Sequence, residues 1–324
     1  VSMVNEVSAP TLASASTTKN VLTSTAGREI PRWHYVIRFT KALICLLSVF
    51  GLWLAAIETR LGQVVDEYLM DSGARWNGYF HGVDQVILLV VSKYAIALVG
   101  VLAILVALMR RRLRLGLRAL AVIGLTLLFS QLLKYQVFSR PNLALRYVLP
   151  NSYPSGHTAA AVAVSVALVM VVAPRFKLFF SVLGAAWTVL VGYATIINAW
   201  HRPADVLGAI FLAGAFALAF TPLEITVVPS PRARSFLGYY RRLGVIFFLL
   251  GSALVALVAY RTHLVLRAHE NANYDAIFNI LEMDTLPLPA LSVGGVFLLI
   301  CGVVMLILRA IAALAKEKVG TKVP

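Results

Sequence analysis

Three groups of residues in this sequence have the types and spacings of a site that handles phosphate. The first is Lys134-Tyr135-Gln136-Val137-Phe138-Ser139-Arg140-Pro141, with Arg146 following; the second is Pro154-Ser155-Gly156-His157; the third is His201-Arg202-Pro203-Ala204-Asp205. A transferring phosphoryl group spreads negative charge over its oxygens, so catalysis needs fixed cations and backbone N–H donors around it. Lys134 and Arg140 supply charge. Ser155, Gly156 and the start of the helix they open supply donors, and glycine lets the backbone approach a ligand closely. Of the two histidines, one can attack phosphorus while the other protonates the leaving oxygen. Asp205, four residues after His201, is placed to hold that imidazole in its reactive tautomer.

The elements that must position these groups lie in a bilayer. The 324 residues are 60% hydrophobic and 13% charged, with a mean hydropathy of +0.84, which excludes an ordinary soluble globule. Crossing about 30 Å of hydrocarbon takes about 20 apolar residues of helix. Segments of that kind fall at 36–57, 86–109, 116–136, 158–174, 178–199, 204–222, 243–261 and 290–314. The expected fold is therefore an all-α polytopic membrane bundle of about eight transmembrane helices. Short links at Pro174-Arg175-Phe176-Lys177 and Trp200-His201-Arg202-Pro203 make helical hairpins of the fourth to sixth spans.

The net charge of +15 reads as a topology signal. With both termini in the cytoplasm, segments 1–41, 110–118, 175–177, 223–242 and 309–324 hold 20 basic and 4 acidic residues, while the opposite face holds 8 and 10. Short basic loops fix orientation, and Arg110-Arg111-Arg112-Leu113-Arg114 is the strongest of them. That run reads as topogenic, so no nucleic-acid partner is expected. Residues 1–35 read as a disordered cytoplasmic tail, 36–222 as a six-helix core, and 223–324 as a cytoplasmic loop with two further helices. Cys45 and Cys301 sit in apolar runs as small hydrophobes. The outer loops 58–85 and 262–289 are long enough for short helices, and Tyr68, Trp76, Tyr79 and Phe80 suit an aromatic belt or an interfacial cover.

Lys-x5-Arg-Pro, Pro-Ser-Gly-His and His-x3-Asp, spread over successive membrane helices, resemble the type 2 phosphatidic acid phosphatase superfamily, which is related to the vanadium-dependent haloperoxidases. The resemblance covers roughly residues 36–222. It implies that His201 forms a phosphohistidine, that Asp205 orients it and that His157 is the general acid. It further implies that Lys134, Arg140, Ser155 and the Gly156 amide bind phosphate, without metal or other cofactor. Two departures stand out. The first motif usually has six residues between Lys and Arg; the five here rotate Lys134 by about 100° on an α-helix, which a local unwinding before Arg140 would absorb. The third motif usually begins Ser-Arg, where this sequence has Ala194 and Thr195. Arg202 is the expected replacement cation, with Arg146 and Lys93 behind it.

The expectation is an integral enzyme of the plasma membrane, with the bilayer and a lipid phosphate as its partners. It would hydrolyse a lipid phosphate or diphosphate, with an isoprenoid diphosphate as leading substrate class, at the extracytoplasmic face. The competing expectations are a lipid phosphotransferase and a catalytically impaired lipid-binding or transport homologue.

Overall fold

A computed structural model describes residues 32–80, 82, 93–143, 150–222 and 231–314. Among these residues the chain is helical throughout, without strands. Helix α1 (Arg32–Leu52) ends in a π turn, Trp53–Ile57; α2 (Arg60–Ala74) and a four-residue α3 (Asn77–Phe80) follow. Next come α4 (Lys93–Met109), α5 (Leu113–Leu132) with a π turn at Leu133–Val137, and α6 (Gly156–Val171). A 3-10 turn at Pro174–Phe176 leads into α7 (Lys177–Ile197), then α8 (Pro203–Phe220), α9 (Pro231–Ala268), α10 (Tyr274–Glu282) and α11 (Leu288–Leu314). Among the described residues six helices are long and apolar enough to cross a membrane: α1, α5, α7, α8, α9 and α11, while α4 and α6 contribute shorter apolar helices. The eight expected segments are all represented, with 86–92 outside the described residues. The first helix begins at Arg32 rather than at 36, and α9 extends well beyond 243–261 at both ends.

Helices α6 and α8 form the centre. Both are apolar on every side and almost wholly buried, which is how a helix surrounded by other helices reads. Small residues let their neighbours close in. Ser165 of α6 donates to the Ala161 carbonyl at 2.8 Å and to the Gly184 carbonyl of α7 at 3.2 Å, so the polar group itself joins two helices. The added helices α9 and α11 pack backbone to backbone. A Cβ at Gly251 would lie 2.4 Å from Leu299 N, and one at Gly302 would lie 2.4 Å from Phe248 N, so glycine is required at both crossings.

The two ends of the bundle differ in charge, as the basic loops suggest. Arg110 donates to the Val171 carbonyl, Tyr240 to Ser181 and Arg309 to Leu237, which gathers basic segments at one end. The other end holds the motif residues beneath the outer segments. There α2 is not a surface cover: ten of its residues are buried, and Thr59 caps its N-terminus by accepting from Gly62 N at 3.0 Å. Tyr68, expected in an aromatic belt, is fully buried against Phe278 of α10, whereas Trp76 and Tyr79 are exposed. Arg60 donates to the carbonyls of Glu270 and Ala272, Tyr274 to Asp71, and Arg75 pairs with Glu282, so the two outer segments clasp one another. Cys45 and Cys301 are free thiols.

Candidate active site

The third motif is built by the end of α7 and the start of α8. Helix α7 closes through Ala199 in the left-handed region (φ 52°), an uncommon conformation for a residue with a Cβ, and the amides of Trp200 and His201 return to the Thr195 carbonyl at 2.9 and 3.2 Å. Pro203 then starts α8, where its missing N–H needs no partner. This turn puts His201 beside Asp205. A single oxygen, Asp205 Oδ2, accepts from His201 Nδ1 at 3.1 Å, from Ser152 Oγ at 2.6 Å and from the Arg202 amide at 3.0 Å. With its Nδ1 proton directed at a carboxylate, His201 keeps a lone pair on Nε2. Asp205 is thus both the N-terminal acid of α8 and the support of the imidazole.

The second motif is tied to the third through backbone. Ser155 N donates to the Asp205 carbonyl at 2.9 Å, and the Ser155 hydroxyl caps α6 by accepting from Thr158 N at 3.4 Å. Gly156 and His157 are the first residues of α6, so their amides have no carbonyl within that helix. His157 faces His201 with ring centroids 6.3 Å apart and Trp200 at 5.8 Å. A Cβ at Gly156 would meet Gln131 Nε2 at 3.2 Å, which places α5 against the same turn.

The first motif arrives through the π turn at Leu133–Val137, the local unwinding that the shortened Lys-x5-Arg spacing calls for; Phe138 N closes on the Leu133 carbonyl at 2.8 Å and the chain then runs extended. Asn151 fastens it: its Nδ2 donates to the Lys134 and Phe138 carbonyls, both at 2.9 Å, while its Oδ1 accepts from Tyr153 N. The charge of Lys134 acts on both Asp205 and His157. Tyr153 is wedged into the bundle, donating to the Val49 carbonyl at 2.6 Å. Gly208 makes room for it, since a Cβ there would lie 2.4 Å from the ring. We therefore expect Gly208→Ala to displace the Asn151–Ser155 segment, lowering stability by about 1–3 kcal/mol, as overpacking does, and activity along with it. Thermal unfolding in detergent checks this, and Gly208→Ala combined with Tyr153→Leu should recover most of the stability; an unchanged single variant would contradict the wedge.

Behind the motifs stands α2, which the sequence reading did not connect to the site. Glu67 accepts from Arg202 Nε at 2.6 Å and stands 3.9 Å from Arg140 Nη2. Arg202 Nη1 also donates to Ser152 at 3.2 Å, and Gln63 of α2 donates to the Pro141 carbonyl at 2.9 Å. Asp66 accepts from Ala204 N at 2.9 Å. Arg202, the expected replacement for the missing arginine, is buried, with its Nε on Glu67 and its Nη1 on Ser152. Burial alone would lower the Arg202 pKa, but Glu67, with Asp205 and Asp66, outweighs it and holds the pKa above the usual arginine value. Arg140, by contrast, is pulled below its usual value, first by burial and then by Arg202 beside it. Thr195, at the position where the resemblance implies an arginine, is buried and bonds to the Gly192 carbonyl. Arg146 and the side chain of Lys93 lie outside the described residues.

The structure thus brings together His157, His201, Asp205, Ser155, Gly156, Lys134 and Arg140, and it adds Glu67, Asp66, Asn151 and Ser152. The only local signal for the additions was polarity: Asn151-Ser152 directly precedes Pro-Ser-Gly-His, and Asp66-Glu67 is an acidic pair in an otherwise mixed loop.

A helical membrane bundle with paired histidines over a helix N-terminus defines the class. Residues 115–227 match the model of the PAP2 superfamily, in agreement with the resemblance carried by the motifs. The segment runs from α5 through α8, the part of the expected core that contains all three motifs. Among solved structures, the chain is similar to "the first transmembrane PAP2 type phosphatidylglycerolphosphate phosphatase from Bacillus subtilis". That similarity has 25% identity and a TM-score of 0.45, covering 56% of this chain and 92% of the other. No curated protein matches.

Proposed function

We propose that this protein is a membrane phosphatase that hydrolyses a lipid phosphate or diphosphate through a phosphohistidine. The observation that carries this reading is the joint placement of His201 on Asp205 and of His157 across from it, over the first turn of α6. His201 Nε2 attacks phosphorus, the P–O bond to the lipid breaks, and His157 gives its proton to the departing oxygen. Water then attacks the phosphohistidine, His157 takes a proton from it, and phosphate leaves with His201 restored. The amides of Gly156 and His157, with Lys134 and Arg140, stabilise the equatorial oxygens. Arg202 serves from behind, fixing Ser152 and through it the accepting oxygen of Asp205.

The segregation of basic loops to the end away from the site supports cytoplasmic termini and an extracytoplasmic site in the plasma membrane. An isoprenoid diphosphate is the leading substrate on that orientation. The test is phosphate release by purified protein in excess chelator, from short-chain phosphatidic acid and from farnesyl diphosphate. Release is expected from both, faster from the diphosphate; release from neither overturns the proposal. For orientation, Met283→Cys suits labelling, because Met283 is 86% exposed at the site end. An impermeant thiol reagent should label it on intact cells, and labelling only after lysis would reverse the orientation.

A further inference from the structure

The end of α1, together with α2, α8 and the added helices α9 and α11, encloses a cavity of about 280 Å³. Leu52, Leu61, Val65, Leu207, Val255 and Leu299 make its walls apolar, and exposed Ala55 and Thr59 lie at its mouth. One charged side chain is among its lining residues, Asp66. Asp66 is 4% exposed; its Oδ1 takes the Ala204 amide, but its Oδ2 has no hydrogen-bond partner among the described residues. Burying a carboxyl oxygen without a donor is costly, so this oxygen marks a place where a donor is expected. Burial, and then the charge of Asp205, push the Asp66 carboxyl up to about 7.

The cavity is separate from the phosphate site. On α8, Pro203, Ala204 and Leu207 face the cavity, whereas Asp205 and Gly208 face the catalytic loop, about a third of a turn away at roughly 100° per residue. Its chemistry is also different. In its ionised form, which prevails above about pH 7, Asp66 accepts a hydrogen bond from a hydroxyl and repels a phosphate, and with Arg202 and Arg140 already close to it, a further cation is disfavoured. Apolar walls with one buried acceptor suit a chain that ends in a neutral hydroxyl. We propose that this cavity binds the lipid alcohol released by the reaction, its hydroxyl donating to Asp66 Oδ2 and its chain lying between α2, α8, α9 and α11. The assignment rests on the phosphatase reading above, and it explains the presence of the last two helices, which form the far wall of a product site.

The experiment uses full-length protein in nanodiscs and three photoreactive probes: decanol carrying a diazirine near its tail, its methyl ether, and its phosphate, the last tested on His201→Ala so that it survives. Crosslinks are mapped by peptide mass spectrometry, and phosphate release is measured in the same discs. The alcohol should label peptides containing Val65, Leu207 or Leu299 about tenfold more than the ether or the phosphate, the scale of one well-made hydrogen bond. Asp66→Leu should bring alcohol and ether level, and Leu207→Trp should remove labelling; Leu299→Trp blocks the opposite wall should Leu207→Trp fail to fold. Equal labelling by alcohol and ether in the wild type, or labelling that survives both blocking variants, overturns the site. Release of phosphate without alcohol labelling overturns the site and leaves the phosphatase reading standing. Labelling without release overturns the assignment of the occupant as product.

Discussion

His201→Ala should lower phosphate release from a lipid phosphate by about a thousandfold or more, with little change in stability. His201 Nδ1 is bound to Asp205, so Nε2 is its nucleophilic atom, and alanine leaves no group in its place. The arrangement of Asp205 does not depend on the imidazole, because Ser152 Oγ and the Arg202 amide hold the same oxygen. The variant should therefore unfold near the wild-type temperature while being almost inactive. His157→Ala should be milder with a substrate whose leaving group needs no proton, such as an aryl phosphate, than with a lipid phosphate; His201→Ala should be equally damaging to both. Brief reaction with labelled substrate and an alkaline quench should trap acid-labile phosphate on wild type and on His157→Ala, but none on His201→Ala. Equal release by wild type and His201→Ala would rule the mechanism out.

Glu67→Ala should be the most destabilising substitution at this end of the protein, by about 3–5 kcal/mol, because removing one member of a buried ion pair strands the other. Arg202 Nε would lose its partner at 2.6 Å, and Arg140, already pulled below its usual pKa, would lose the carboxylate nearest to it. Glu67→Gln, which keeps an acceptor, should cost less. Glu67→Ala with Arg202→Met removes both charges and should recover most of the stability, since a buried pair replaced by apolar groups is often neutral. Activity of that double variant then separates two roles for Arg202. Recovered stability with a lowered kcat and a KM near wild type fits an arginine that positions Ser152 and Asp205, whereas recovered stability with a raised KM returns it to the phosphate. If Glu67→Ala unfolds at the wild-type temperature, the contact contributes nothing.

The parts of this site that could be read in advance are those fixed by short covalent spacing. His201 and Asp205 are one helical turn apart, and Ser155 and Gly156 open a helix whatever surrounds it. That the helix unwinds before Arg140 could be read from the short Lys-x5-Arg spacing, but not that it does so through a π turn. Glu67 was not, because its partner Arg202 is 135 residues away and nothing local in α2 marks the pairing. Tyr68 shows the complementary difficulty. An aromatic residue in an outer segment suits an interface and a core equally, and only the arrival of α10 over α2 decides for the core. Helix ends are a related case: apolar length marks the part of α9 inside hydrocarbon, while the helix itself runs from Pro231 to Ala268.

Asp205 holds His201 through its carboxylate and Ser155 through its backbone carbonyl, so one residue of α8 carries the nucleophile and grips the turn that bears the acid. Helices answer a thicker or thinner bilayer by tilting or sliding along the membrane normal. A slide of α8 takes both histidines with it, and the gap between them is set by two bonds to a single residue rather than by the depth at which either helix floats.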